Sequence, residues 1–201
     1  MENKIKDSGE MREFASGAHR DAAEGKGRMD LVPYDGINAI LNCSTETESG
    51  LCCDDGYDGS QNNDTLNYDF KKFLMESFLA ASKYLDRIEK NPDDKDDRLL
   101  ARAARAAVIA IGLVEGPEDG VDVSDITCCI AYGIKQVSIH YEAGALKYGA
   151  NNWKKGIPIT VLLDSGMRHS LKAVAGITDE PHCRAAAWNF LCAIWTVENG
   201  C

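Results

Sequence analysis

The sequence predicts an all-α protein: an antiparallel bundle of about five main helices, with an inserted helical hairpin and a polar N-terminal arm. Three observations point there. Apolar residues recur three and four apart over 68–89, breaks containing Pro or Gly divide the rest into helix-length pieces, and no run of residues alternates as a strand would.

The first thirty residues are polar and punctuated by glycine. They end in Gly25-Lys26-Gly27-Arg28-Met29-Asp30-Leu31-Val32-Pro33, a loop that feeds a short helix reaching Asn42. Over 43–65 the composition shifts to Asp, Gly, Ser, Asn and Thr, which predicts a mobile surface loop. The register from Asp54 puts Gly56 and Thr65 where a calcium loop needs an oxygen ligand and a bidentate Glu, so that reading is rejected. Phe70, Phe73, Leu74, Phe78, Leu79, Ala81 and Leu85 then share one helical face, and Asn91-Pro92 stops the helix. A second helix over 97–114 is alanine-rich and is broken by Glu115-Gly116-Pro117, so the two form a hairpin. Ser124 or Asp125 caps a third helix that continues to Tyr148, with Gly149 as its stop. Pro158 opens a fourth, ending near Gly176; Thr178 or Asp179 caps a fifth, with Pro181 in its first turn. Arg98, Arg102 and Arg105 share a face, and with Asp94 four residues before Arg98 that face reads as solvated and ion-paired.

At 201 residues and 44% hydrophobic content the chain suits one domain, 1–201, with 43–123 as an insertion between motif blocks. The longest apolar stretch, 106–114, falls far short of the roughly 20 residues that cross a bilayer. The N-terminus mixes Lys and Glu without an apolar signal region, so the expected location is the cytoplasm. A net charge of −10 opposes binding to polymeric nucleic acid but leaves room for a small anion in a local basic pocket. The eight cysteines include two adjacent pairs and no zinc-type spacing, which favours buried reduced thiols.

Three of the four histidines, His140, His169 and His182, lie within 43 residues of each other, among Glu, Asp, Arg, Asn and Trp. On a helix His140 and Lys147 share a face, with Gly144 between them as a notch. Glu142 sits in an apolar row with Ile139 and Leu146, so a buried carboxylate there needs a cation, a metal or a donor. Asp164, Arg168 and Lys172 are spaced by four and fit a surface ion pair as well as a site; His169 fits a core histidine as well as a ligand. His182, Ala186, Asn189 and Ala193 make a small-residue face suited to a groove, whereas Trp188 and Trp195 read as core. Asp179 and Glu180 suit a helix's first turn whether or not they bind metal. Gly25-Lys26-Gly27-Arg28 lacks the Ser or Thr of a P-loop; Arg20, Lys26 and Arg28 belong either to a disordered arm or to a basic loop folding over a phosphate tail.

Taken together, Ser16-Gly17-Ala18 with Arg20-Asp21, Gly25-Lys26-Gly27-Arg28, HYEAGALKYG over 140–149, Asn152-Trp153 with Gly156, Arg168-His169, DEPH over 179–182 and Trp188-Asn189 resemble the N-terminal domain of dATP/dGTP diphosphohydrolases. The resemblance covers about 16–33 and 139–196. It implies a helical fold related to the MazG-type nucleotide pyrophosphohydrolases, a family common in phages, so that the cytoplasm would be a host's if the chain is phage-encoded. It implies hydrolysis of a purine deoxynucleoside triphosphate to monophosphate and pyrophosphate with Mg2+ or Mn2+, in a homodimer or homotetramer. The EExxE and ExxD strings that hold metal in MazG-type proteins do not occur in the motif region. The acids available instead are Glu142, Asp164, Asp179 and Glu180. On this reading Glu142, His169 and His182 are catalytic, and Arg20, Lys26, Arg28, His140, Lys147, Tyr148, Asn152, Trp153, Arg168 and Asn189 bind the nucleotide. A nucleotide sponge without turnover would use the same pocket, and a purely structural helical oligomer would use these segments as packing.

Overall fold

The computed structural model of the chain describes residues 11–13, 16, 19–21, 25–43 and 63–200. Its helices are α1 (Tyr34–Asn42), α2 (Asn63–Lys90), α3 (Arg98–Glu115), α4 (Ile126–Tyr148), α5 (Ile159–Val174) and α6 (His182–Asn199). The all-α expectation is met, with one addition. Met11–Glu13 (β1) and His19–Asp21 (β2) pair antiparallel, Arg12 opposite Arg20, in strands too short to show alternation in the sequence. The loop expected over 43–65 lies mostly outside the described residues, and so does the rejected calcium-loop register.

Helix α3 is the hub. Its residues from Leu100 to Leu113 are all buried, and it packs against α1, α2, α4 and α6, while α5 closes the bundle against α2 and α6. Alanine makes this possible, since small side chains on every face let neighbours approach from every side. The α3–α4 crossing is the tightest case: a Cβ on Gly133 would run into the carbonyl of Val108, and one on Gly112 into the backbone of Cys129. The hairpin of α2 and α3 therefore supplies the centre of the core.

This centrality corrects the reading of the arginine face. Arg102 and Arg105 are 7% and 9% exposed, because the helix that carries them is surrounded. Arg102 pairs with Glu76 of α2, and Arg105 donates to the carbonyl of Ile40 in α1 at 3.3 Å. Arg98 alone stays at the surface, paired with Asp96, and Asp94 pairs with Arg87.

Helix boundaries follow the local chemistry. Asp125 caps α4 by accepting the Thr127 N–H at 2.8 Å, and Gly149 ends it at φ +88°, where a side chain would be strained. Helix α6 begins at His182, two or three residues later than a cap at Asp179 or Thr178 would give: Pro181 is the cap, and Asp179 serves the His182 ring instead of the helix end. Cys129, Cys183 and Cys192 are buried thiols; burial pushes Cys129 up to about 11 and Cys183 up to about 12, so both stay protonated. Among the described residues no helix is long and apolar enough to cross a membrane.

Candidate functional site

A cleft of about 360 Å³ opens where α4, the segment after it, α5 and the start of α6 meet. Helix α4 contributes a row spaced by four, His140, Gly144 and Tyr148, flanked by Tyr141 and Ala145. Gly144 is the notch: nothing lies within 4 Å of where its Cβ would be, so the gap belongs to the cleft. Asn151 in the left-handed region (φ 57°) and Gly156 (φ +96°) turn the chain around the short helical turn Asn152–Lys155, which brings Asn152 and Trp153 into the wall. Ser165 and His169 come from α5, Ala185, Trp188 and Asn189 from α6, and Leu31 from the N-terminal arm.

Aromatic rings make one wall. Tyr141 packs against Trp153 and Trp188 with ring centroids 6.0 and 5.8 Å apart, and Trp195 supports Trp153 from behind at 5.0 Å, edge to face. The Tyr141 hydroxyl meets the Cys192 thiol at 3.3 Å, which locks the ring against α6. The Trp153 indole N–H is buried without a hydrogen-bond partner among the described residues.

Ionisable groups gather at one edge. The Nδ1 atoms of His169 and His182 face each other at 2.9 Å, and Glu180 Oε1 is 3.5 Å from both. Behind them, His182 Nε2 and Asp179 Oδ1 are 2.6 Å apart. Burial, with the charge of Arg184 and of His169, pushes His140 below its usual value against the pull of Glu180. Burial likewise pushes His169 down, joined by His182, Arg168 and Lys172 and opposed by Glu180. Both rings are therefore neutral, and able to accept a proton, near pH 7. Asp179 is held below the usual carboxylate range: partial desolvation pushes it up, but His182 and Lys172 outweigh that.

Of the residues singled out in the sequence, the fold brings His140, Tyr148, Asn152, Trp153, His169, Glu180 and Asn189 to the cleft, with His182 directly behind His169. Others go elsewhere. Glu142 accepts the backbone N–H of Gly27 at 3.0 Å. Asp164 and Arg168 form an exposed pair on α5 at 3.0 Å. Lys147 lies 4.9 Å from the centre of the Tyr148 ring, Lys26 is exposed, and Arg28 pairs with Asp30 at 2.6 Å. The side chain of Arg20 lies outside the described part of the structure. Sequence reasoning passed over Tyr141 and set Trp188 in the core, whereas Ala186 and Ala193, expected in the groove, are fully buried. It also missed Arg184, whose guanidinium grips Glu115 through both carboxylate oxygens at 2.6 to 3.1 Å and ties α6 to α3 beside the site. The spacing of His140, Gly144 and Tyr148 was the signal that could have traced the wall.

The four acids expected to hold Mg2+ or Mn2+ do not converge, since Glu142 and Asp164 are engaged away from Asp179 and Glu180. Mg2+ takes oxygen ligands in near-octahedral geometry, and the donors do not fit it. Among the described residues, the group of three possible ligands is His169, Glu180 and His182.

No curated protein and no solved structure matches the chain. Every residue lining the cleft except Leu31 falls within 119–201. Residues 119–201 match the family model described as dATP/dGTP diphosphohydrolase, N-terminal, the family that the motifs resemble.

Proposed function

We propose that the chain hydrolyses a purine deoxynucleoside triphosphate, of the dATP or dGTP kind, to the monophosphate and pyrophosphate in this cleft. The observation that carries the reading is the coincidence of an aromatic-walled, nucleoside-sized cleft with a histidine and carboxylate edge, all within the segment that matches the family. The part-exposed ring of Trp188, with Tyr141 and Trp153 packed behind it, suits a purine, and the amides of Asn152 and Asn189 suit its hydrogen-bonding edge. Arg168 and Lys172 lie outside the cleft, paired with Asp164 and Asp179, and their charge reaches its edge at His169, the side where the phosphates would lie. A neutral His140 is suited to take the proton of a water attacking the α-phosphorus, with pyrophosphate leaving.

The test is pyrophosphate release from deoxy- and ribonucleoside triphosphates, with and without divalent ions. Release from dATP or dGTP that is abolished in His140→Asn supports the reading; a flat panel overturns it. The engagement of Glu142 and Asp164 away from the cleft favours one second reading, a nucleotide-binding protein without turnover. Calorimetric binding of dATP or dGTP with no pyrophosphate formed would select it. Assembly into a homodimer or homotetramer belongs to the same proposal. It is supported by Leu79 and Leu171, 46% and 43% exposed on the two helices joined by the buried Ser77–Ser170 hydrogen bond. Light scattering that shows a monomer would remove it.

A further inference from the structure

We propose that Nδ1 of His169, Nδ1 of His182 and a carboxylate oxygen of Glu180 bind one first-row transition-metal dication, of the iron to zinc series, at the edge of the cleft. The three atoms form a triangle with sides of 2.9, 3.5 and 3.5 Å. A point about 1.9 Å from all three exists in its plane, and a shift of about 0.6–0.8 Å above that plane gives the roughly 2.0–2.1 Å of ordinary metal–imidazole and metal–carboxylate bonds. Two imidazoles and one carboxylate form a borderline donor set, which selects such ions over Mg2+ or Ca2+.

A second observation points the same way. Asp179 Oδ1, 2.6 Å from His182 Nε2, fixes the Nε2–H tautomer and leaves the Nδ1 lone pair directed at His169. An outer carboxylate behind a histidine is the usual means of orienting a metal ligand and raising its basicity. The charges also balance, because the carboxylates of Glu180 and Asp179 offset a dication. His182 is 3% exposed and His169 lies at the cleft wall, so open coordination positions face the cleft, where water or a phosphate oxygen can reach them. Helix α5 brings His169 and the first residue of α6 brings His182, while Glu180 in the connection closes the triangle.

The site bears on the hydrolase reading, but its test does not require turnover. Co2+ and Zn2+ are titrated into the metal-free full-length chain and followed by calorimetry and by the visible absorption of Co2+. One ion per chain at micromolar affinity or better is expected. Glu180→Gln, at a surface position that leaves the fold intact, should abolish tight binding, and Asp179→Asn should weaken it roughly 10- to 100-fold. Absence of binding, or binding unchanged in both Glu180→Gln and His169→Asn, overturns the site. Metal binding without pyrophosphate release leaves the site standing and removes the hydrolase; pyrophosphate release from a chain that binds no such ion does the reverse.

Discussion

Glu142 Oε2 accepts the backbone N–H of Gly27 at 3.0 Å, joining residues 115 positions apart. The same contact zone has the Arg28 N–H donating to the carbonyl of Ser138 at 3.1 Å, and Gly27, at φ +86°, lies so close to Ser138 that a Cβ there would meet its hydroxyl. The arm is thereby moored to α4, and Leu31, four residues on, completes the cleft wall.

Glu142→Ala should therefore release the arm. Trypsin would cut after Lys26 or Arg28 faster than in the parent chain, and nucleotide would bind several-fold more weakly. Glu142→Gln keeps an acceptor oxygen and should behave nearly as the parent in both assays. Loss of turnover in Glu142→Gln with an unaltered digestion pattern would instead assign the carboxylate a chemical role.

Gly144 separates stability from binding. The position is helical and opens onto the cleft, so Gly144→Ala should raise stability by about 0.5–1 kcal/mol, the gain expected in a helix interior. The new methyl group occupies the notch, so nucleotide affinity should fall, and Gly144→Val should reduce it further. Urea unfolding and calorimetry on the same preparations check both directions.

The Arg102–Glu76 pair ties α3 to α2 with the guanidinium almost wholly buried. Glu76→Ala leaves that charge without its carboxylate and should cost about 3 kcal/mol. Replacing both partners with Met and Leu should recover most of the loss, because a buried pair is worth little more than well-packed apolar side chains. A double-mutant cycle by urea denaturation measures this.

Asp96 makes stability depend on acid. Hydrogen bonding from the Arg98 guanidinium, opposed by partial burial and reinforced by the Arg98 backbone N–H and by Arg87, holds its carboxyl well below the usual range. A carboxyl depressed in the folded state stabilises fully above its unfolded value of about 3.9 and loses that contribution as pH falls toward the folded value. Asp96→Asn should thus be less stable than the parent by about 1 kcal/mol at pH 7, with the gap narrowing steadily below pH 4. Urea midpoints at pH 7, 4 and 2.5 give the profile.

Much of the bundle was legible because its helices announce themselves locally. Apolar spacing marked α2, Asp125 and Gly149 marked the ends of α4, and Pro158 marked the start of α5. The burial of Arg102 and Arg105 was not legible, since it depends on what surrounds α3, and an acid four residues before Arg98 looks the same on a solvated helix. Among site residues, the histidines and asparagines stood out by type and clustering. Which acid joins them did not: Glu142 and Glu180 are equally plausible by composition, and only the fold turns one toward a backbone N–H and the other toward two imidazoles.

The chain has three tryptophans, and all belong to the cleft: Trp153 and Trp188 line it, and Trp195 rests on Trp153. Intrinsic fluorescence is therefore a local signal with no indole elsewhere to dilute it. A purine held against this wall should quench most of the emission, whereas closed-shell Zn2+ bound between His169, His182 and Glu180 should alter it little, so one label-free trace can tell nucleotide occupancy from Zn2+ occupancy.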